Sequence, residues 1–293
     1  MGTEKTITIG ANTNHPLTVK RFGYGTMRLT GEMIWGEPEN RTEALQILKT
    51  AVTEGIRFID TADYYGEDVT NRLIAEALYP YPDDLVICTK VGANRGQDKS
   101  WKVYDRPENV RASVGNNLKT LKMDRLPLVH FRIMPGSQTP LEDSLGEMFR
   151  MREEGKILHV GLSNATPQEL DLARSLGPIA SVENAFAHAQ RTSFEVHGMQ
   201  VRGMQEVMDT CLKEGIVMIP FWSLQNASLD KDSKILEMAE KYRVTPAQIN
   251  LAWTLHLNHL MLPIPGTSKL RHFKENIEAS EISLTEGDML FLA

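Results

Sequence analysis

Two cysteines in 293 residues, no run of apolar residues long enough for a bilayer and no concentration of positive charge are the first shortages in this sequence. Cys88 and Cys211 both stand in apolar surroundings and offer no pairing pattern, which argues against a disulfide-built secreted scaffold and for a reducing, cytoplasmic location. The net charge of −6 is spread among interspersed signs, so neither nucleic acid nor an anionic membrane is an expected partner. Nothing spans a bilayer, and the N-terminus lacks the apolar core of a signal peptide. "MGTEKT" fits a short myristoylation pattern, but patterns of that length match often by accident, and an ordinary start is the reading adopted. Glycine is also missing where a dinucleotide fingerprint would need it. "GYGTMRLTG" has Gly23 and Gly25, and no third glycine follows at the required distance.

What is present is an alternation. After a β-rich opening, "KTITIGANTNHPLTVKRFGYGT", short β-branched or aromatic runs bounded by turn residues fall at 21–26, 58–62, 85–91, 126–134, 157–164, 179–186, 217–224 and 260–267. Between them, segments such as "RTEALQILKTAVTEG" carry apolar residues at helical spacing. "TPQE" at 166–169 and "TPAQ" at 245–248 have the form of capping boxes, and Gly55, Gly155, Gly177 and Gly215 fall where helices should stop. Eight strand–helix units at this length predict an α/β fold, a (β/α)8 TIM barrel. With 41% hydrophobic residues and no linker or break in composition, residues 1–293 are expected to form one domain.

In such a barrel, side chains at the C-terminal ends of the strands face the active site. Those ends hold Asp60 followed by Tyr64 and Tyr65, then Lys90, then His130 with Arg132, then Ser163 with Asn164, and Glu183. A lysine inside the apolar "LVICTKVG" is costly unless paired, and Asp60 on the neighbouring strand is the nearest candidate. An ammonium close to a phenol stabilises phenolate and lowers the tyrosine pKa. The trio can therefore protonate a carbonyl oxygen as hydride reaches its carbon, or take the proton back in reverse. Each residue alone has a plainer use, as a turn cap, a packing pair or a snorkelling lysine; their convergence on adjacent strands sets them apart.

"FIDTADYYG", "CTKVG", "GKILHVGLSN" and "LPIPGTSKLRHFKENIEA" resemble, in order and spacing, signature segments of the aldo-keto reductase superfamily across nearly the whole chain. The resemblance implies an NADP(H)-dependent oxidoreductase on a (β/α)8 barrel whose bottom is plugged by an N-terminal β-hairpin. It makes Tyr65, immediately before the glycine, the acid, with Tyr64 as a neighbour lining the substrate pocket. Asp60 would hold Lys90, and Lys90 would lower the Tyr65 pKa. Ser163, Asn164 and Glu183 would meet the nicotinamide carboxamide, and Phe221 would stack under the ring. Gly25, Thr26 and Met27 would line the cofactor nearby, with Ser223 and Leu224 also on the cofactor side. Thr267, Ser268, Lys269, Arg271, His272, Glu275 and Asn276 would hold the adenosine end, their cations favouring NADPH over NADH.

The chain departs from the superfamily pattern at several points. Where relatives end strand four with a histidine that orients the substrate, alignment of "MDRLPLVHFRIM" puts Arg132. His130 lies on the same strand face about 6–7 Å deeper. Arginine cannot give up its proton, so it is expected to bind the developing oxyanion, with His130 behind it. Glu183 and Phe186 replace a common glutamine and tyrosine. The arginine, "ALYPYPDD" and "KVGANRGQDKSW" are reminiscent of a branch that includes bacterial pyridoxal reductases. Trp35, Trp101, Tyr104 and Trp222, if they ring the mouth, suit an aromatic or alicyclic carbonyl. Two rival functions stay open: a Schiff-base lyase working through Lys90, and a cofactor-binding regulatory protein with little turnover. The expected partner is a small carbonyl or alcohol, and the expected state a monomer or small homo-oligomer. No metal site is expected.

Overall fold

The computed structural model describes residues 5–196, 199–224, 229 and 231–293; residues 1–4, on which most of the acylation pattern falls, lie outside that set. The hairpin comes first, with β1 (Thr6–Ile9) antiparallel to β2 (Leu17–Lys20). The barrel strands follow as β3 (Tyr24–Gly25), β4 (Phe58–Asp60) and β5 (Val86–Arg95), which extends into a hairpin with β6 (Trp101–Tyr104). Then come β7 (Leu126–Arg132), β8 (Ile157–Ser163) and β9 (Ile179–Glu183), a second hairpin of β10 (Phe194–Val196) and β11 (Met199–Val201), and β12 (Val217–Met218). The barrel strands pair in parallel in chain order, with helices between them.

The eighth run, expected over 260–267, forms no ladder. Pro263 and Pro265 have no N–H to donate, and a strand cannot be built through them. The segment still closes the cylinder. Met261 bridges Met218, the Met218 N–H donates to Leu260 and the Leu262 N–H to Met218 at 2.8 Å, and the Gly23 N–H donates to Pro263 at 2.9 Å.

Two apolar layers result. Ile7, Ile9 and Val19 of the first hairpin are buried with Phe58, Cys88, Leu128, Val217 and Leu262, so the hairpin stoppers the N-terminal end of the barrel. Ile59, Ile87, Val129 and Val160 point outward into the larger core beneath the helices. Alternation along each strand then fixes the next layer up. With Phe58 inside, Asp60 is inside; Cys88 sets Lys90, and Leu128 sets His130 and Arg132. A one-residue slip of β5 would exchange Ile87 for Cys88 and turn Lys90 into the apolar outer layer.

Both predicted capping boxes are formed, Thr166 with Glu169 and Thr245 with Gln248. Gly215 ends its helix in the left-handed region at φ 68°, as expected. Gly177 does not: it is extended, and a Cβ there would lie 2.6 Å from the Phe149 ring, so glycine provides room rather than a turn.

Candidate active site

At the C-terminal end of the strands, Asp60 and Lys90 form a buried ion pair. Lys90 Nζ also donates to the Thr61 carbonyl at 3.4 Å and lies 3.3 Å from Glu183 Oε1 at the end of β9. The other Glu183 oxygen is 2.8 Å from His130 Nδ1, and His130 Nε2 is 2.7 Å from Ser181 Oγ. Cys88 Sγ approaches the same Nδ1 at 3.4 Å. Gly161 on β8 leaves space for the imidazole, because a Cβ there would stand 2.3 Å from the ring. A chain of polar groups, Asp60–Lys90–Glu183–His130–Ser181, thus crosses the barrel, every member buried.

Burial alone would favour a neutral Lys90 amine, but Asp60 and then Glu183 outweigh it and hold the ammonium well above the ordinary lysine range. The two carboxylates share one ammonium and part company. Burial pushes Glu183 up, yet Lys90 and the His130 hydrogen bond bring it below the ordinary glutamate range. Asp60 goes the other way: burial first and the Glu183 charge second raise it above the ordinary aspartate range, with Lys90 opposing both. Burial also keeps His130 below the usual histidine range, hence neutral.

The Tyr65 ring lies 5.3 Å from Lys90 Nζ. The expected drop in its pKa is not found in this arrangement. Lys90 pulls downward, but burial is larger and leaves the phenol above its ordinary value. Among the described residues no hydrogen bond joins the Tyr65 hydroxyl to the ammonium, whose neighbours are Asp60, Thr61 and Glu183.

His130 and Arg132 separate by layer, as strand alternation requires. His130 is sealed inside the barrel, whereas Arg132 donates from Nη1 to Ser163 Oγ at 3.2 Å and spreads its guanidinium 5.3 Å from the Phe221 ring. Arg132 also exerts a downward pull on both phenols.

Tyr64 stands edge-on to Tyr65 at 5.3 Å and to Trp101 at 5.6 Å, within a small apolar cluster that includes Ala62, Ala93, Met134 and Met27. Of the other tryptophans, Trp222 packs edge-on against Phe194 of the second hairpin, and Trp35 is half-buried in the loop that the Gly31–Gly36 hydrogen bond closes. The Gly25 backbone is pressed against Ile264, where a Cβ would lie 2.7 Å from the carbonyl oxygen, and Thr26 donates its hydroxyl to the Asp60 carbonyl. Sequence reasoning missed Arg95. Its guanidinium stacks 4.4 Å from Trp101 and donates to the Met33 and Lys99 carbonyls, while Nε and Nη1 are buried without an acceptor among the described residues. The signal was hidden because β5 runs past the predicted 85–91, and only the register Arg95 opposite Trp101 makes the residue internal.

Asn164, at φ 64°, uses its side chain on the protein itself. It donates to Ile133 and Gln200 carbonyls and accepts from the Arg202 N–H, tying β8 to the second hairpin. Ser223 is buried, with its carbonyl accepting from Asn250, and Leu224 packs on the outer core. The last predicted group gathers at the start of the helix Leu270–Glu278. Thr267 accepts from the Lys269 N–H, Arg271 pairs with Glu275, and Ser268 and His272 are exposed. Glu43 takes the Leu270 N–H and lies 3.8 Å from Lys269. Asn276 is buried, and its Nδ2 has no partner among the described residues.

The chain matches the aldo/keto reductase family over residues 21–290. It is 37% identical over 274 residues to pyridoxine 4-dehydrogenase of Escherichia coli K12, covering 92% of either chain. Its structure resembles that of the thermostable aldo-keto reductase Tm1743 in complex with the inhibitor epalrestat, with a TM-score of 0.80, 26% identity and 98% of each chain covered. It also resembles an aldo/keto reductase from Klebsiella pneumoniae in complex with NADP and acetate, with a TM-score of 0.78, 21% identity, 99% of this chain and 94% of that one. The chain belongs to the aldo/keto reductase family.

Proposed function

We propose that this protein is an NADPH-dependent oxidoreductase that interconverts a carbonyl, aldehyde or ketone, and its alcohol, with Tyr65 as the general acid and base. The observation that carries the reading is the buried Asp60–Lys90 pair beside the Tyr65 ring at the mouth of the barrel. A phenol next to a fixed cation is a proton donor for an oxygen that is gaining charge. The same pair argues against a lyase, since an ammonium held between two carboxylates has no lone pair to attack a carbonyl.

The donor set fits the cofactor. Lys269, Arg271 and His272 at a helix N-terminus suit a phosphate, and the Asn276 amide, without a partner among the described residues, offers a buried donor beside them. Bound there, NADPH would supply the hydride. The remaining work belongs to the chain: Tyr65 gives its proton to the substrate oxygen, and Arg132 stabilises the charge that develops on it. Tyr64 and Trp101 meet edge to face in the apolar cluster that also holds Tyr65, and we assign that cluster to the substrate's apolar part. The relative that oxidises pyridoxine and these aromatic rings together favour a ring aldehyde, and pyridoxal is the substrate proposed.

The test is NADPH oxidation over a panel of aldehydes, ketones and quinones that includes pyridoxal, with Tyr65→Phe as the blank. Turnover highest with pyridoxal is expected; cofactor binding without consumption anywhere on the panel would favour a regulatory protein instead. Arg132→Ala is expected to lower kcat by about 10²–10³, the cost of removing one oxyanion donor. Near-normal steady-state kinetics in that variant would remove Arg132 from the mechanism.

A further inference from the structure

The Lys90 ammonium has three N–H bonds and three acceptors around it, none of which is the phenol it is supposed to influence. Asp60 and the Thr61 carbonyl take two, and Glu183 stands 3.3 Å away on the third side. Glu183 is itself held in place by His130, which Ser181 anchors from behind and Gly161 admits. We propose that Glu183 is a positioning residue that competes with Tyr65 for the Lys90 ammonium, and that His130 holds it in that competing position. The proposal rests on the reductase reading for its importance, though not for its geometry.

The charges facing Tyr65 come from four strands. Asp60 on β4 and Glu183 on β9 oppose formation of phenolate, whereas Lys90 on β5 and Arg132 on β7 favour it. Tyr64 is the remaining titratable neighbour, and behind Glu183 stand the neutral His130 and the buried Cys88 thiol. Asp60 cannot be the adjustable member, because it is the ammonium's closest partner and without it Lys90 would be buried with a single longer-range counter-charge. Glu183 is the adjustable one. A ligand donor that engaged its carboxylate would loosen its hold on Lys90 and turn that cation toward the phenol. No bond is made or broken in this step; a hydrogen-bond donor on Lys90 changes its acceptor.

Glu183→Gln removes the charge and Glu183→Ala removes the acceptor as well. Both are expected to lower the Tyr65 midpoint in the cofactor-free protein by about one to two pH units, the order expected for the loss of one nearby charge in a partly polarisable interior. The reading is tyrosinate absorbance against pH, with the same variants carrying Tyr65→Phe as the difference reference and circular dichroism as the check on folding. Carbonyl reduction needs the protonated phenol, so the alkaline limb of kcat/KM should move to lower pH by the same amount. An unchanged Tyr65 midpoint in both folded variants would overturn the proposal. That outcome would leave the reductase assignment intact if wild-type turnover persisted. A shifted midpoint without any turnover would do the reverse.

Discussion

Replacing Tyr65 by phenylalanine is expected to lower kcat for carbonyl reduction by about 10²–10⁴ while leaving the fold and NADPH affinity unchanged. The substitution removes one oxygen and keeps the ring, including the face that lies 5.3 Å from Lys90 Nζ. Phenylalanine keeps the 5.3 Å edge-to-face contact with Tyr64 and the packing with Ala62, Ala93 and Met134. Among the described residues no side-chain hydrogen bond acts on the hydroxyl, so no buried partner is orphaned when it goes. The loss therefore isolates the proton. Fluorescence titration with NADPH and steady-state turnover on the same preparation separate the two effects. A variant that kept a tenth of wild-type kcat would move the acid to another group.

Much of this arrangement could be read along the chain, because it depends on period. The alternation that buries Phe58 beneath Asp60 and Cys88 beneath Lys90 is a local property of each strand, and pairing those strands in order brings the acid to the lysine. What could not be read depends on register between distant segments. His130, read as the residue behind Arg132, and Glu183, read as a departure from a common glutamine, look unrelated in sequence, yet they are partners at 2.8 Å. Their meeting passes through an irregularity between β8 and β9, where the pairing shifts between Val160 and Leu162. Arg95 was hidden for the same reason, since its burial is decided by the residue opposite it on β6. The eighth strand failed at the chemical level. Its apolar pattern is sound, but two prolines remove donors that a ladder requires.

Lys90→Met should be the most damaging substitution in the molecule, for stability before catalysis. Methionine fills a similar volume and leaves Asp60 and Glu183 facing one another in a dry interior without a counter-charge. Removing one partner of a buried ion pair costs about 3–5 kcal/mol, and here two carboxylates lose the same partner. The sign of the pH dependence follows. Without the ammonium, both carboxyl groups would have folded-state pKa values raised above their unfolded values near 4. A raised carboxyl contributes full stability below its unfolded pKa and loses it as pH rises through the folded one. The deficit should therefore be small under acid conditions and large in the alkaline range, measured as urea unfolding of the variant against wild type at several pH values. A deficit that did not grow with pH would mean that the carboxylates are not the source of the strain. The triple variant Asp60→Asn, Lys90→Met, Glu183→Gln completes the argument. It has no buried charge left to neutralise and should recover most of the stability, as replacing a whole ionic group by neutral ones often does. It should not recover turnover, because the cation beside Tyr65 is still missing; stability and activity would then separate within a single set of residues.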